Sequence, residues 1–255
     1  MSSAGDGVAL VTGAGKRIGR ALALALADAG YDVAVHYHSS KEDADDVASL
    51  IRQTGHRAEI VQADLSKEEQ TSTLIAKASD ALGPLTLLVN SASAFEHDDI
   101  DAMTRSSWDR HMEANLRAPV KLAQDFAQQA PQQANNLIVN LIDQRVLKLT
   151  PQFLSYTVSK AALFSVTKTL AQALGPKGIR VNAIGPGPTL KNPRQSDKDW
   201  RRQNDATVLG YGATPDDICA ALIYLTTARA VTGQMIAVDG GQHLAWQTPD
   251  VLVKE

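Results

Sequence analysis

A single cysteine, Cys219, stands in a chain of 255 residues. A lone thiol excludes an intramolecular disulfide and any cysteine-rich metal site. Its setting in "DDICAALIYL" reads as a plain buried thiol on a helix. Neither sign of charge dominates: 25 Lys and Arg stand against 28 Asp and Glu, a net charge of −3. That weighs against a nucleic-acid or anionic-membrane surface. No apolar run reaches membrane length. "KRIGRALALALADAG" loosely mimics a signal peptide, but its apolar run is about half of what spans a bilayer. It also follows a strand-like segment and a Gly-rich turn, so the expectation is a helix in a soluble, cytoplasmic protein. Linkers, repeats and low-complexity blocks are missing too, and one domain over 1–255 is the expectation.

What is present is alternation. Strand-length apolar runs, "GVALVTG", "YDVAVHY", "RAEIVQADL", "LTLLVNSAS", "NNLIVNLI", "IRVNAIGPG" and "QMIAVDGG", are separated by helical patterns. Helices of that length between strands imply right-handed crossovers and a parallel sheet covered on both faces. Continuous Val/Ile/Leu runs fit strands buried on both sides. The fold class is therefore α/β, a Rossmann-like doubly wound sheet of about seven strands. Ser66 with Glu69 has capping-box spacing, and one long helix is predicted from about Ser107 to Gln129. Pro186 to Ala206 is polar and Pro-rich, and reads as a mobile lid or a disordered loop.

"VTGAGKRIGR" puts glycines between the first strand and first helix. Gly13 permits a tight turn and Gly19 a close approach, so that the helix N-terminus can face a pyrophosphate. The spacing is not G-x-G-x-x-G, and alone the turn is weak evidence. An NAD site commonly closes the second strand with an acid for the ribose 2′-hydroxyl. Here "VAVHYHSSK" has none before Glu42. Arg17, His38, Ser39, Ser40 and Lys41 converge instead, groups that suit a 2′-phosphate. NADP(H) is the expected cofactor. Asp64 ends the third strand, where it either accepts from an adenine amino group or caps the next helix.

Two further features carry chemistry. Tyr156 and Lys160 share a helix face at i, i+4. A phenol that works near neutrality must be brought about 4 kcal/mol nearer ionisation, and an adjacent ammonium could supply much of that. Asp143, in "NLIDQR", lies at the mouth of a buried strand, where a carboxylate is costly without water, a partner or a task.

Together these motifs resemble the short-chain dehydrogenase/reductase family over nearly the whole chain. "TGAGKRIG" matches T-G-x-x-x-G-x-G with Arg17 for the middle glycine, and "VNSAS" stands where the family has N-N-A-G. Asn115 in "EANLRAP", "YTVSK" and "IRVNAIGPG" follow in order. The resemblance implies that Tyr156 donates the proton. Lys160 would orient the nicotinamide ribose and lower the Tyr156 pKa, and Asn115 would support a water relay. It further implies cofactor contacts from Gly13, Arg17, Ile18, Gly19, His38, Ser39, Ser40, Asp64, Leu65, Asn90, Ser91, Ala92, Lys160, Pro186 and Gly187. No metal is implied.

Two departures narrow the resemblance. The family's serine is Asp143 here, and Arg17 replaces glycine. With "HYHSS" and Phe95, both resemble the pteridine reductases and the related bacterial dihydromonapterin/dihydrofolate reductases, although Ser39 stands where arginine is common. The resemblance implies that Phe95 stacks on a pterin face while Asp143 and Tyr156 protonate ring nitrogen, and Ser93 lines the pocket. An acceptor carboxylate also suits amidine-like N–H donors better than a hydroxyl does. Leu190, Trp200 and Tyr211 are candidate lid contacts. A carbonyl reductase of 3-oxoacyl thioesters or small ketones is the alternative, and a non-enzymatic dinucleotide sensor the third reading. Family members assemble as tetramers or dimers, so a homo-oligomer through about Ser107–Gln129 and Ser155–Leu174 is expected. The tail bearing Trp246 is expected to cover a neighbour's site.

Overall fold

Side chains at alternate positions of each strand enter different cores, as the period of two requires. Ala9, Val11, Val33, Val35, Leu87, Val89, Leu137 and Val139 enter one apolar cluster, and Val8, Leu10, Ala34, Leu88 and Ile138 enter the other. The computed structural model describes residues 7–192 and 194–246. Seven strands, β1 (Gly7–Val11), β2 (Tyr31–Tyr37), β3 (Ala58–Gln62), β4 (Leu87–Asn90), β5 (Asn136–Leu141), β6 (Ile179–Pro186) and β7 (Met235–Val238), pair in parallel. Their order is β3-β2-β1-β4-β5-β6-β7. The chain leaves the β3 edge and returns beside β1, so the order reverses between β1 and β4. Ligands of doubly wound sheets bind beyond the strand ends at such a point.

Helices α1 (Arg17–Asp28), α2 (Lys41–Gln53), α3 (Glu68–Thr71), α4 (Leu74–Leu82), α5 (Arg105–Met112), α6 (Ala118–Gln129), α7 (Leu154–Leu174) and α9 (Pro215–Thr227) flank the sheet, and α8 (Asp197–Asp205) stands apart in the connection after β6. Helix α1 buries Gly19, Leu22, Ala23, Leu26 and Ala27, the i, i+3, i+4 stripe of an amphipathic helix. Full burial of Leu22 and of Leu26 contributes roughly 1.5–3 kcal/mol each. Gly30, with φ 95°, ends the segment in the left-handed backbone that favours glycine.

Three expectations change. The long helix over Ser107–Gln129 is interrupted by a π-helical segment, Glu113–Arg117, between α5 and α6. The polar stretch Pro186–Ala206 contains α8, opened by Ser196, whose side chain accepts from the Asp199 N–H at 3.1 Å. Ser66 does not open a helix with Glu69; its N–H and hydroxyl both bond Asp64, at 3.0 and 2.7 Å. A carboxylate two residues upstream offered that turn a stronger acceptor than the helix could. The tail beyond Trp246 lies outside the described residues; Trp246 itself is exposed. No helix among the described residues is long and apolar enough to cross a membrane.

Candidate active site

The phosphate turn is braced from below. Gly13 takes φ 66° and its N–H donates to His36 Nδ1 at 3.0 Å. That bond fixes the tautomer: Nδ1 accepts, so Nε2 carries the hydrogen and donates to the Ala63 carbonyl at 3.1 Å. Burial holds the His36 pKa down to about 4, so the ring is neutral. Thr12 supplies the second brace, its hydroxyl accepting from the N–H groups of Ser91 and Ala92 at 2.9 and 3.0 Å. Together His36 and Thr12 join the turn to the ends of β2, β3 and β4, a role that no local sequence pattern reveals. A Cβ on Gly19 would sit 2.2 Å from the Gly13 carbonyl oxygen, so only glycine allows this approach.

Helix α1 begins with no side-chain cap and no acid in its first turn. Its orphan N–H groups and dipole are thus free for an anion. Lys16, Arg17 and Arg20 line a cavity of about 310 Å³ beside it, with Gly15, Asp43 and Asp46. Arg17 has φ 51°, a left-handed backbone that costs a non-glycine residue roughly 1–2 kcal/mol. That explains why glycine is usual here and implies that the guanidinium has a task. It donates to the carbonyls of Leu190 and Lys191 at 2.9 and 3.1 Å, fastening the lid segment to the turn. His38, Ser39 and Ser40 follow β2 as expected, and His38 is exposed. Lys41 instead pairs with Asp45 at 2.6 Å. Asp64 Oδ1 is the Ser66 acceptor, and Oδ2 lies 3.7 Å from His38. Asn90 donates to Asn140 at 2.8 Å, while its own side-chain oxygen is buried with no partner. Gly187 N–H donates to the Val238 carbonyl at 3.0 Å. These groups suit a phosphorylated dinucleotide lying across the β1/β4 reversal.

Asp143, Tyr156 and Lys160 converge at the end of β5. The Tyr156 hydroxyl donates to Asp143 Oδ2 at 2.9 Å. The other carboxylate oxygen accepts from the Arg145 N–H at 2.7 Å. Burial raises the Asp143 pKa. Burial, then the Asp143 charge, raises Tyr156 well above its ordinary value. The expected lowering of Tyr156 by Lys160 is therefore not what this geometry gives. Lys160 donates to the Leu141 carbonyl at 2.8 Å, and burial brings its pKa down to about 8.

Asn115 lies in the π-helical segment, fully buried. Its side chain accepts from Ala94 N–H at 2.7 Å and donates to Ala94 carbonyl at 2.9 Å and Ser159 Oγ at 3.1 Å. Ser93 donates to the same Asn115 oxygen at 3.2 Å. The side chain thus holds the Ser93–Ala94 backbone against helix α7. Phe95 stacks on Phe153 with ring centroids 4.6 Å apart and planes 6° from parallel. Its edge contact with Tyr156 is at 4.7 Å. Phe153 was missed: it takes φ 58°, and nothing local in "PQFLSY" signals a left-handed residue before a helix. Arg194 donates to the Phe95 carbonyl at 3.0 Å. Of the candidate lid contacts, Leu190 touches the turn through its carbonyl, and Tyr211 is 62% exposed. Neither Trp200 nor Tyr211 joins the aromatic contacts found among the described residues.

A family profile described as enoyl-(acyl carrier protein) reductase matches residues 13–243. The chain belongs to the short-chain dehydrogenase/reductase family, and it is an oxidoreductase. It is 31% identical to a 3-oxoacyl-[acyl-carrier-protein] reductase of Staphylococcus epidermidis, over 92% of this chain and 98% of that one. Among solved structures, FolM alternative dihydrofolate reductase 1 from Brucella canis, complexed with NADP, is 46% identical. It has a TM-score of 0.93 and coverage of 98% of each chain. A blue fluorescent protein from a metagenomic library, in complex with NADPH, is 30% identical with a TM-score of 0.88, covering 94% of this chain and 99% of that one.

Proposed function

We propose that this chain is an NADP(H)-dependent reductase of a pterin, dihydropterin or dihydrofolate-type substrate. The observation that carries the reading is the hydrogen bond from the buried Tyr156 to Asp143, a carboxylate where the family has serine. The 46% identity to an alternative dihydrofolate reductase supports it. The turn from Gly13 to Gly19 with Arg17, and His38 to Ser40, would hold the cofactor, with Asp64, Leu65, Asn90–Ala92, Lys160, Pro186 and Gly187 around it. When bound, NADP(H) supplies the hydride.

This chain's residues supply the proton and the orientation. Tyr156 keeps its phenolic proton because burial and the Asp143 charge oppose ionisation; protonation of Asp143 removes the second of these and brings the phenol nearer to release. Asp143, its carboxyl made easier to protonate by burial, can accept an N–H of an amidine-like ring edge or pass on a proton. The two are strongly coupled and act as one acid pair. Phe95 offers a flat face at the pocket wall, suited to a planar heterocycle. Segment 186–206, held by Arg17 and Arg194, covers the pocket and excludes water.

Purified protein should oxidise NADPH with dihydrobiopterin, dihydromonapterin or dihydrofolate and leave an acetoacetyl thioester untouched. The reverse pattern would favour the carbonyl-reductase reading, which the similarity to 3-oxoacyl reductases supports. The same proposal takes the chain to be a homo-oligomer, tetramer or dimer, which light scattering of the pure protein would test.

A further inference from the structure

Behind Phe95 lies a second polar cluster. Asp98 is 1% exposed, and His111 and Ser155 are 0% exposed. A buried carboxylate must be matched by donors or it is costly, and this one is matched three times. It accepts from the Ser107 hydroxyl at 2.5 Å, from the Ser155 N–H at 3.1 Å and from the Ser155 hydroxyl. Its own carbonyl takes the Leu154 N–H at 3.2 Å. Helix α7 has Phe153 at its N-cap position and no side-chain cap. Asp98, 57 residues upstream, therefore takes the place of the local cap that α7 lacks.

His111 completes the cluster. Its Nε2 accepts from the Glu96 N–H at 3.1 Å, so Nδ1 carries the hydrogen. Nδ1 donates to the Ser107 carbonyl at 2.9 Å and to Ser155 Oγ at 2.7 Å. Ser155 then directs its own hydrogen to Asp98. The three residue types are those of a nucleophilic triad, but the order is wrong, because the serine sits between acid and imidazole. No substrate can reach groups this deeply buried, so nucleophilic chemistry is excluded.

What the cluster touches gives its role. At one end the bonded group is Glu96 N–H, next to Phe95; at the other it is Ser155, next to Tyr156. On the far side of Phe95, Ala94 is gripped through both its N–H and its carbonyl by Asn115, one helical turn after His111. We propose that Asp98, His111 and Ser155 are positioning residues that hold the aromatic wall at Phe95 in register with the hydroxyl of Tyr156. The proposal rests on Tyr156 being the proton donor and is independent of which substrate is reduced.

Ser155→Ala and Ser155→Thr test it, with Ser107→Ala as a milder break should Ser155→Ala fail to fold. Ser155→Ala is expected to leave the NADPH dissociation constant within twofold while kcat falls at least tenfold on whichever substrate the parent reduces. Ser155→Thr, which keeps the hydroxyl, should restore most of it. In a Phe95→Ala background the further loss from Ser155→Ala should shrink to twofold or less, since the register then has no wall to set. Hydrogen exchange needs no substrate, so it survives failure of the pterin reading: residues 94–98 and 153–157 should exchange faster together while residues 12–20 do not change. Additive losses in the cycle, equal weakening of NADPH binding, or faster exchange throughout the chain would each overturn the proposal.

Discussion

The cofactor side and the substrate side of this site are built in different ways. Around the phosphate turn the backbone is fixed by hydrogen bonds to two buried side chains: Gly13 to His36, Ser91 and Ala92 to Thr12. Each of those groups lies on a strand or within two residues of a strand's end. Across the reversal point, Phe95, Asp143, Arg145 and Phe153 sit on connecting segments. They are held by aromatic contacts, by Arg145 over the Phe153 ring and by Arg194 reaching from the lid to the Phe95 carbonyl. Each side contains one non-glycine residue with a left-handed backbone, Arg17 and Phe153. The first ties Leu190 and Lys191 to the turn; the second lays its ring against Phe95. A rigid half thus suits a constant ligand, and a loop-built half is where specificity can vary.

The largest test of the comparison is Tyr156→Phe. It removes the donated proton but leaves the turn intact, so kcat should fall about a thousandfold, within the range for a lost general acid. NADPH binding, followed by fluorescence titration, should stay within about twofold, as expected for loss of an interaction made in the transition state. A comparable loss of cofactor affinity would mean that the two halves are not separable.

Asp143→Ser should come next. It restores the family's usual residue, and turnover of dihydropterins and dihydrofolate should fall about 10- to 100-fold, the range for a lost hydrogen bond to a charged group. Loss of pterin turnover with a gain on small ketones would locate substrate choice at this one side chain. Unchanged pterin turnover would remove Asp143 from the reaction.

The two halves also differ in how far their sequences reveal them. The turn and the Tyr156/Lys160 pair are legible because covalent spacing fixes them: a helix face needs i, i+4, and a tight turn needs glycine. Alternating apolar residues expose the sheet for the same reason. The π-helical segment around Asn115 leaves no mark, since its residues satisfy an ordinary helical pattern. Helix α8 escaped because a polar, solvent-facing helix has almost no apolar stripe to reveal it. The Phe95–Phe153 stack and the Asp98–Ser155 bonds join residues 57 or more positions apart, which a local pattern cannot report. His36 is the instructive miss on the cofactor side: it lies in a segment read for phosphate contacts, yet its ring faces inward.

Arg17→Gly sharpens the contrast from the other direction. The substitution relieves a left-handed residue, so stability should hold or rise, by up to about 1 kcal/mol. Cofactor binding should weaken about tenfold for NADPH and little for NADH, as expected if a charge-assisted contact to the 2′-phosphate is lost. The bonds to Leu190 and Lys191 go with it, so proteolysis within residues 186–206 should quicken. Undiminished NADPH preference would return the 2′-phosphate role to His38 and Ser40.

The smallest effect concerns His36 and belongs to stability. Its folded pKa is about 4, against about 6.5 in an unfolded chain. Above pH 6.5 neither state binds the proton, and the residue adds no pH dependence. Below that the unfolded chain takes up a proton that the folded one refuses, so stability falls by about 1.4 kcal/mol per pH unit down to about pH 4. Asp143 opposes this, because a carboxyl raised by folding gains stability as the pH drops. Comparison of the parent with His36→Gln by urea unfolding at pH 7.5, 6, 5 and 4.5 isolates the histidine. The variant should start lower, by about 1–3 kcal/mol, if the glutamine leaves the Gly13 N–H without its buried acceptor. Its stability should then decline less steeply with acid, so that the two curves converge as the pH falls. Parallel curves would mean that the ring protonates inside the fold, and that the brace under the phosphate turn is softer than its burial implies.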